Sequence, residues 1–294
     1  MGTESQRYDK KLFKANLKPN WCPGCGDYGL LSASTKALSK LKFQPSNVVF
    51  ISGIGCSSSF PHWTNAYGIH MVHGRALPTA TGVKMVNPEL TVIAVGGDGD
   101  GYGIGIGHFI HSARRNLDIT YMVMNNQIYG LTMGQSSPSS QLGLVTLTAP
   151  QGVDELPINP LALSLGAGAS FVARGFSGDR KHLQVIIEKA LNHNGFSFID
   201  VLSPCITFNK LNTYEWFRKR VYKLDENHDQ TDIEAAFAKS QEGNGRIPIG
   251  IFYKSERPSL HDLDPVTKNK IPVKEPLGFK AQGIDVQEVF DDFR

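Results

Sequence analysis

The sequence predicts an open α/β fold, a mostly parallel sheet with helices on both faces. Three observations carry that prediction. Short apolar runs rich in Val and Ile recur next to glycines, as in VVFIS at 48–52, LTVIAVGG at 90–97 and ITYMVMNN at 119–126, the pattern of strands buried on both sides. The stretch GIGHFIHSARRNL at 105–117 has the length and character of a crossover helix between the last two. The earlier of those strands ends in Gly97-Asp98-Gly99-Asp100-Gly101, at the carboxyl end of a strand, where open sheets of this kind bind their ligands.

The remaining elements follow in order. Residues 1–20 are polar, charged and irregular. Apolar residues at 30, 31, 37, 38 and 41 predict a helix over 29–41. Residues 160–168 read as a helix, 170–175 as a strand, 182–193 as an amphipathic helix and 196–205 as another buried strand. One further apolar run, IPIGIFYK at 247–254, precedes a Lys-, Pro- and Asp-rich stretch at 255–294 with little periodicity, expected as an arm on a surface or a partner. The expected division is a main domain at 1–235 and a C-terminal extension at 236–294 that packs on it or on a partner subunit.

Composition removes several classes of function. With 294 residues, 40% apolar and 19% charged, the chain is long enough to bury a real core and is not disordered. A net charge of +3 is too weak to argue for nucleic acid. No run of 18 apolar residues points to a membrane span, and the first twenty residues have no apolar core of a signal peptide, so a cytoplasmic location is expected.

The glycine–aspartate run is the first chemical signal. Glycines let backbone approach a ligand and turn N–H groups toward phosphate, and a following helix adds its positive end. An aspartate there repels a bare diphosphate, but it fits if a hard cation such as Mg²⁺ lies between them. One helix and one strand later comes Asn125-Asn126. A βαβ unit brings the two strand ends to the same edge, so Asp98 and Asn126 can meet around one ion. A bare Asx–Gly turn is the bland alternative.

The cysteines are the second signal. Trp21-Cys22-Pro23-Gly24-Cys25-Gly26 is a compact CxxC turn, Cys56 sits in GIGCSSS just after the strand at 48–52, and Cys205 follows Pro204. Four thiolates from strand ends and loops can converge on Zn²⁺ or a [4Fe–4S] cluster. Only one CxxC pair exists where a structural zinc site usually has two. A redox dithiol, with plain buried cysteines at 56 and 205, remains open.

The GDG…NN spacing resembles the thiamine diphosphate enzymes. By that resemblance Asp98 and the Asn126 side chain bind Mg²⁺ and Ile128 supplies a backbone carbonyl. The glutamate that activates the aminopyrimidine in such enzymes comes from a separate domain that this chain lacks. No catalytic residue of that kind is therefore expected here, and the chain needs a partner.

Together with WCPGCGDYG, SGIGCSSSF, YGIHMVHGRALPTATG, ARRNLDITYMVMNNQIYGLTMGQ and SPC, these motifs resemble the β subunit of two-subunit 2-oxoacid:ferredoxin oxidoreductases over most of the chain. The resemblance implies the diphosphate half of the thiamine diphosphate fold, with cofactor contacts at Gly55, Cys56, Ser57, His73, Gly97, Asp98, Gly99, Asp100, Asn126, Ile128, Leu131 and Thr132. It implies a [4Fe–4S] cluster on Cys22, Cys25, Cys56 and Cys205, and an α subunit in an αβ or α₂β₂ assembly that carries the activating glutamate.

The implied reaction is coenzyme A-dependent oxidation of a 2-oxoacid to acyl-CoA and CO₂ with electrons to ferredoxin, reversible toward CO₂ fixation. Ser59, His62 and Leu131 are expected at the substrate pocket, and the motif strings favour 2-oxoglutarate over pyruvate. A non-oxidative decarboxylase subunit and a zinc-clip binding subunit are the competing readings. If the acceptor is an acidic ferredoxin, the surface around Cys22, Cys25 and Cys205 should be basic. Arg7, Lys10, Lys11, Lys14, Lys18, Arg218, Lys219 and Arg220 are the candidates.

Overall fold

The strands predicted at 48–52, 90–97 and 119–126 form β1 (Val48–Ser52), β3 (Thr91–Gly97) and β4 (Thr120–Asn125), in-register parallel neighbours at the centre of the sheet. The protein is described by a computed structural model covering residues 11–243, 245–276, 278, 283 and 285–291. The other strands are β2 (Tyr67–His70), β5 (Phe171–Phe176), β6 (Ser197–Leu202), β7 (Val221–Lys223) and β8 (Ile247–Lys254). The eight lie in the order β2-β1-β3-β4-β6-β5-β8-β7. Every neighbouring pair is parallel except β5 with β8.

Strands this apolar need cover on both faces. Alternate residues supply it: Val48, Phe50, Ile93, Val95, Met122 and Met124 pack under α1 (Asp27–Lys40) and α5 (Arg180–Leu191). Their neighbours Val49, Ile51, Val92, Ala94, Tyr121 and Val123 pack under α2 (Ala76–Val86), α3 (Ile106–Arg115), α4 (Pro160–Gly166) and α7 (Ile233–Ser240). Side-chain caps set three of these starts, α7 among them, where Asp232 accepts from the Glu234 and Ala235 amides. Asn159 accepts from the Ala162 amide at 3.1 Å with Pro160 at the first turn, and Asp179 accepts from the His182 amide at 3.1 Å.

Two expectations change. The strand expected over 196–205 ends at Leu202, and Ser203-Pro204-Cys205 leaves the sheet, since proline has no N–H for a ladder. The helix expected over 105–117 begins at Ile106, and a π-helical turn over Gly99–Ile104 separates it from Asp98. The boundary expected at 235/236 falls inside α7, whose Ala236 is buried in the core, while β8 hydrogen-bonds to β5. Among the described residues, those after Lys254 form an arm outside the sheet.

That arm lies at the amino edge of the sheet because β8 runs against β5, Lys254 pairing with Phe171. There Arg257 donates to the carbonyls of Ala113 (2.9 Å) and Gly168 (2.6 Å), Asn116 donates to those of Arg257 and Pro258, and Lys274 pairs with Glu89 at 2.7 Å. The carboxyl edge is left to the loops after β1, β3, β4 and β6. Among the described residues, no helix is long and apolar enough to cross a membrane.

Candidate active site

The register places Ser52 beside Val95 and Gly97 beside Met124, so the loops after β1, β3 and β4 meet at one edge. Asp98 follows β3 and is buried. Its Oδ2 accepts from Ser137 Oγ at 2.5 Å and from Ser139 Oγ at 2.6 Å, and Ser139 Oγ also lies 2.9 Å from Asn125 Oδ1. These donors favour the carboxylate, but burial outweighs them and lifts the Asp98 carboxyl above the ordinary range. A buried acid of this kind gains most from a bound cation. The Asn126 side chain folds onto its own turn, its Oδ1 accepting from the Ile128 amide at 3.0 Å, with Gln127 between them at a left-handed φ of 59°.

Asp100 ties three loops together. Its Oδ1 accepts from the Ile54 amide (2.9 Å), the Gly74 amide (2.7 Å) and His73 Nδ1 (2.8 Å). With Nδ1 as donor, the His73 lone pair is left on Nε2.

The glycines on either side of Asp100 are also required by packing. A Cβ on Gly99 would stand 2.1 Å from the Tyr129 ring, and one on Gly101 would stand 2.1 Å from the hydroxyl of the buried Tyr121. These positions make room for the two tyrosines. Gly101→Ala is expected to destabilise the chain by about 2 kcal/mol or more, as overpacking does, read as a lowered midpoint in chemical denaturation. An unchanged midpoint would show that Tyr121 moves aside freely.

All of the residues expected at the cofactor line one cavity of about 360 Å³: Gly55, Cys56, Ser57, His73, Gly97, Asp98, Gly99, Asp100, Asn126, Ile128, Leu131 and Thr132. Thr132 is not free there, since its hydroxyl donates to Gln135 Oε1 at 2.5 Å. Sequence reading missed Ser137 and Ser139. Their only signal is the serine-rich GQSSPSSQ after the Asn-Asn turn.

A second cavity of about 430 Å³ adjoins the first, with Ile54, Gly55, Cys56, Asn126, Gly130 and Leu131 common to both. Cys22, Cys25, Cys56 and Cys205 all line it, as do Ser59, His62 and His70. The Ser59 hydroxyl donates to the Cys56 carbonyl at 2.8 Å, so it shapes the cysteine loop. His70 Nδ1 lies 2.8 Å from the Ser58 carbonyl and 2.9 Å from Ser52 Oγ.

Local geometry brings the thiols there. The Trp21 indole N–H donates to the Cys56 carbonyl at 2.7 Å, linking the CxxC turn to the Cys56 loop. The Gly26 amide donates to the Pro204 carbonyl at 3.0 Å and Ser203 Oγ donates to Asp27 at 2.7 Å, linking that turn to Cys205. Burial, reinforced by the Asp27 carboxylate, pushes the Cys25 thiol far up and the Cys56 thiol up to about 11. Asp27 is itself raised to about 6 by burial.

The space between the thiols is real. A Cβ on Gly130 would stand 3.5 Å from Cys205 Sγ and 3.8 Å from Cys56 Sγ. Among the described residues, no three His, Cys, Asp or Glu side chains are gathered as tightly as a single-ion site requires.

A parallel sheet that presents a buried aspartate and an asparagine turn to a cavity at adjacent strand ends defines the diphosphate-binding half of a thiamine diphosphate enzyme. Residues 53–201 match the family described as thiamine pyrophosphate enzyme, C-terminal TPP binding domain. Residues 205–269 match the family of the C-terminal part of the pyruvate ferredoxin oxidoreductase beta subunit. The chain is 48% identical over 294 aligned positions to the 2-oxoacid:ferredoxin oxidoreductase subunit beta of Saccharolobus solfataricus, covering 94% of this chain and 96% of that one. It is 36% identical over 262 positions to the 2-oxoglutarate synthase subunit KorB of Methanothermobacter marburgensis, covering 89% and 92%. Its fold matches a 2-oxoglutarate:ferredoxin oxidoreductase from Magnetococcus marinus, solved with 2-oxoglutarate, coenzyme A and succinyl-CoA bound, with a TM-score of 0.88 at 36% identity over 99% of this chain and 98% of that one.

The chain belongs to the β subunits of the 2-oxoacid:ferredoxin oxidoreductases. It is one subunit of a thiamine diphosphate-dependent oxidoreductase that acts with an α subunit.

Proposed function

We propose that this chain, with its α subunit, oxidises 2-oxoglutarate and coenzyme A to succinyl-CoA and CO₂ with electrons to ferredoxin, and runs in reverse to fix CO₂. The observation that carries the reading is the wall common to the two cavities. Cys56 lines both, so a redox centre held by the cysteines would abut the diphosphate site. A non-oxidative decarboxylase has no use for such a wall, and a zinc clip has no reason to share it.

Mg²⁺ would be held by Asp98, Asn126 and the Ile128 carbonyl, and a [4Fe–4S] cluster by Cys22, Cys25, Cys56 and Cys205. The buried acid and the void between thiols both fit these groups. When bound, thiamine diphosphate supplies the nucleophile and the electron sink for decarboxylation. The chain's own residues bind and orient. Ser137 and Ser139 pin one Asp98 oxygen, and Asp100 fixes His73 at the cavity wall. Leu131 stands where the two cavities join, beside Ser59 and His62 on the cysteine side, the expected edge of the substrate pocket. In this reading residues 236–294 form the C-terminal extension, which packs on the main domain through β8. The cytoplasm, where free thiols are kept reduced, suits such a complex.

The isolated chain is expected to be inactive, because the activating glutamate is expected on the α subunit. Anaerobic purification with the α subunit, followed by iron, zinc and thiamine diphosphate analysis and a screen of 2-oxoacids, tests the whole reading. The expected result is iron without zinc, and the highest kcat/KM with 2-oxoglutarate. Higher kcat/KM with pyruvate, or equal values across the series, would replace 2-oxoglutarate with the broader specificity suggested by the general name of the Saccharolobus relative. Turnover by the chain alone would overturn the need for a partner.

A further inference from the structure

The cysteine cavity has thiol walls with different neighbours. Cys56 faces the cofactor cavity; Cys25 also lines a third cavity, which opens beside Tyr28 with Arg180, Tyr214 and Arg218 around it. Arg180 opens α5 just past the carboxyl end of β5, and Arg218 closes α6 (Tyr214–Arg218). Both arginines are exposed, as are Lys181 and Lys219 beside them.

The acids nearby are already engaged. Asp179 pairs with Lys223 at 2.9 Å and Glu215 with Lys219 at 2.6 Å. Among the described residues, no carboxylate pairs with Arg180, Lys181 or Arg218. The Arg218 guanidinium is carried over the Tyr214 ring, 5.6 Å from its centroid. The other basic candidates fit less well. Arg220 stacks on Trp216 at 4.2 Å and donates to its carbonyl, and Lys11, Lys14 and Lys18 line none of the three cavities. Arg7 and Lys10 lie outside the described residues.

We infer that the Cys25 side is the electron exit, and that a small acidic iron–sulfur carrier docks on Arg180 and Arg218. The inference rests on the cluster reading above. Electrons come in at the Cys56 wall and leave at the Cys25 wall. Each encounter passes one electron to the carrier's oxidised cluster, with no bond formed or broken and no proton moved. Two encounters clear the pair released per 2-oxoacid oxidised. Unpaired guanidinium groups at this mouth attract and orient an anionic partner, an effect that salt screens over about 10 Å at 0.1 M.

The test uses the intact complex with α subunit and a ferredoxin of net negative charge. Arg180→Glu combined with Arg218→Glu should weaken binding of oxidised ferredoxin at low salt by roughly 10-fold or more, a difference that shrinks toward about 2-fold at high salt. Iron content, thiamine diphosphate content and reduction of a neutral dye should stay at the level of the unsubstituted complex. Lys181→Glu, which leaves the stack on Tyr214 intact, should weaken binding in the same sense by a smaller factor. Unchanged ferredoxin binding in both variants would overturn the docking site. So would failure of the double variant to assemble with the α subunit, which would make this face a subunit interface. A complex that carries no iron before any substitution would instead sink the cluster reading, and the exit with it.

Discussion

Asp98→Ala is expected to empty the thiamine diphosphate site while leaving the iron in place. The carboxylate is a buried acid at the β3 end, and the two hydroxyls of its serine clamp both bond to Oδ2. On the proposed reading, removing it takes away a hard anionic ligand for the Mg²⁺ that would accompany the diphosphate. Asn126→Ala should act in the same direction from the β4 side. It also frees the Ile128 amide from its 3.0 Å bond, so the turn that presents the Ile128 carbonyl loosens with it. Ser137→Ala and Ser139→Ala, which touch the ligand rather than the metal, should weaken Mg²⁺-dependent cofactor binding by roughly 10–100-fold, the usual effect of outer partners. Cofactor content after gel filtration, measured beside iron content, reads all four. Full thiamine diphosphate in Asp98→Ala and Asn126→Ala together would remove the metal assignment.

The mirror-image result is expected from Cys22→Ser and Cys205→Ser. Each should lose the visible iron–sulfur absorbance while the isolated β3–β4 edge keeps its shape. These thiols come from the CxxC turn and from the segment after β6, and they converge only because Gly26–Pro204 and Asp27–Ser203 bonds hold the two segments together. A serine oxygen is a harder and poorer ligand for iron than a thiolate. A full cluster of four irons in either variant would show that the replaced cysteine is not a ligand. Loss of thiamine diphosphate together with iron would show that the wall between the two cavities depends on the cluster for its form.

Why the sequence led to so much of this, and where it misled, can be seen residue by residue. The central strands were legible because burial on both faces leaves an unbroken apolar run, as in Val48–Ser52. β2 was not, because Tyr67–His70 is a short edge strand with mostly exposed side chains and no such run. β8 was legible as a strand but not in its direction. The apolar pattern of Ile247–Lys254 is the same either way, and only the pairing with β5 reveals the reversal that joins it to the main sheet.

At the site, Asp98 and Asn126 were readable from spacing because a βαβ unit returns the chain to the same edge. The serine clamp was not, because Ser137 and Ser139 reach Asp98 through an irregular loop that no periodicity describes. Gly99 and Gly101 of the GDGDG run have a second role that the sequence did not signal. Their missing side chains accommodate Tyr129 and Tyr121, which only packing could show.

Asp100 has a consequence for how this site can change. Its single Oδ1 holds the loop after β1 through Ile54, the loop before α2 through Gly74, and the His73 ring. A residue exchanged in one loop alters the position of the common acceptor for the others. Substitutions across these loops should therefore be epistatic, with the effect of one depending on the presence of another. A loop transplanted alone from a relative should perform worse than the set transplanted together. Efforts to redirect the enzyme to another 2-oxoacid should accordingly treat residues 53–58, 72–75 and 98–104 as one inherited block.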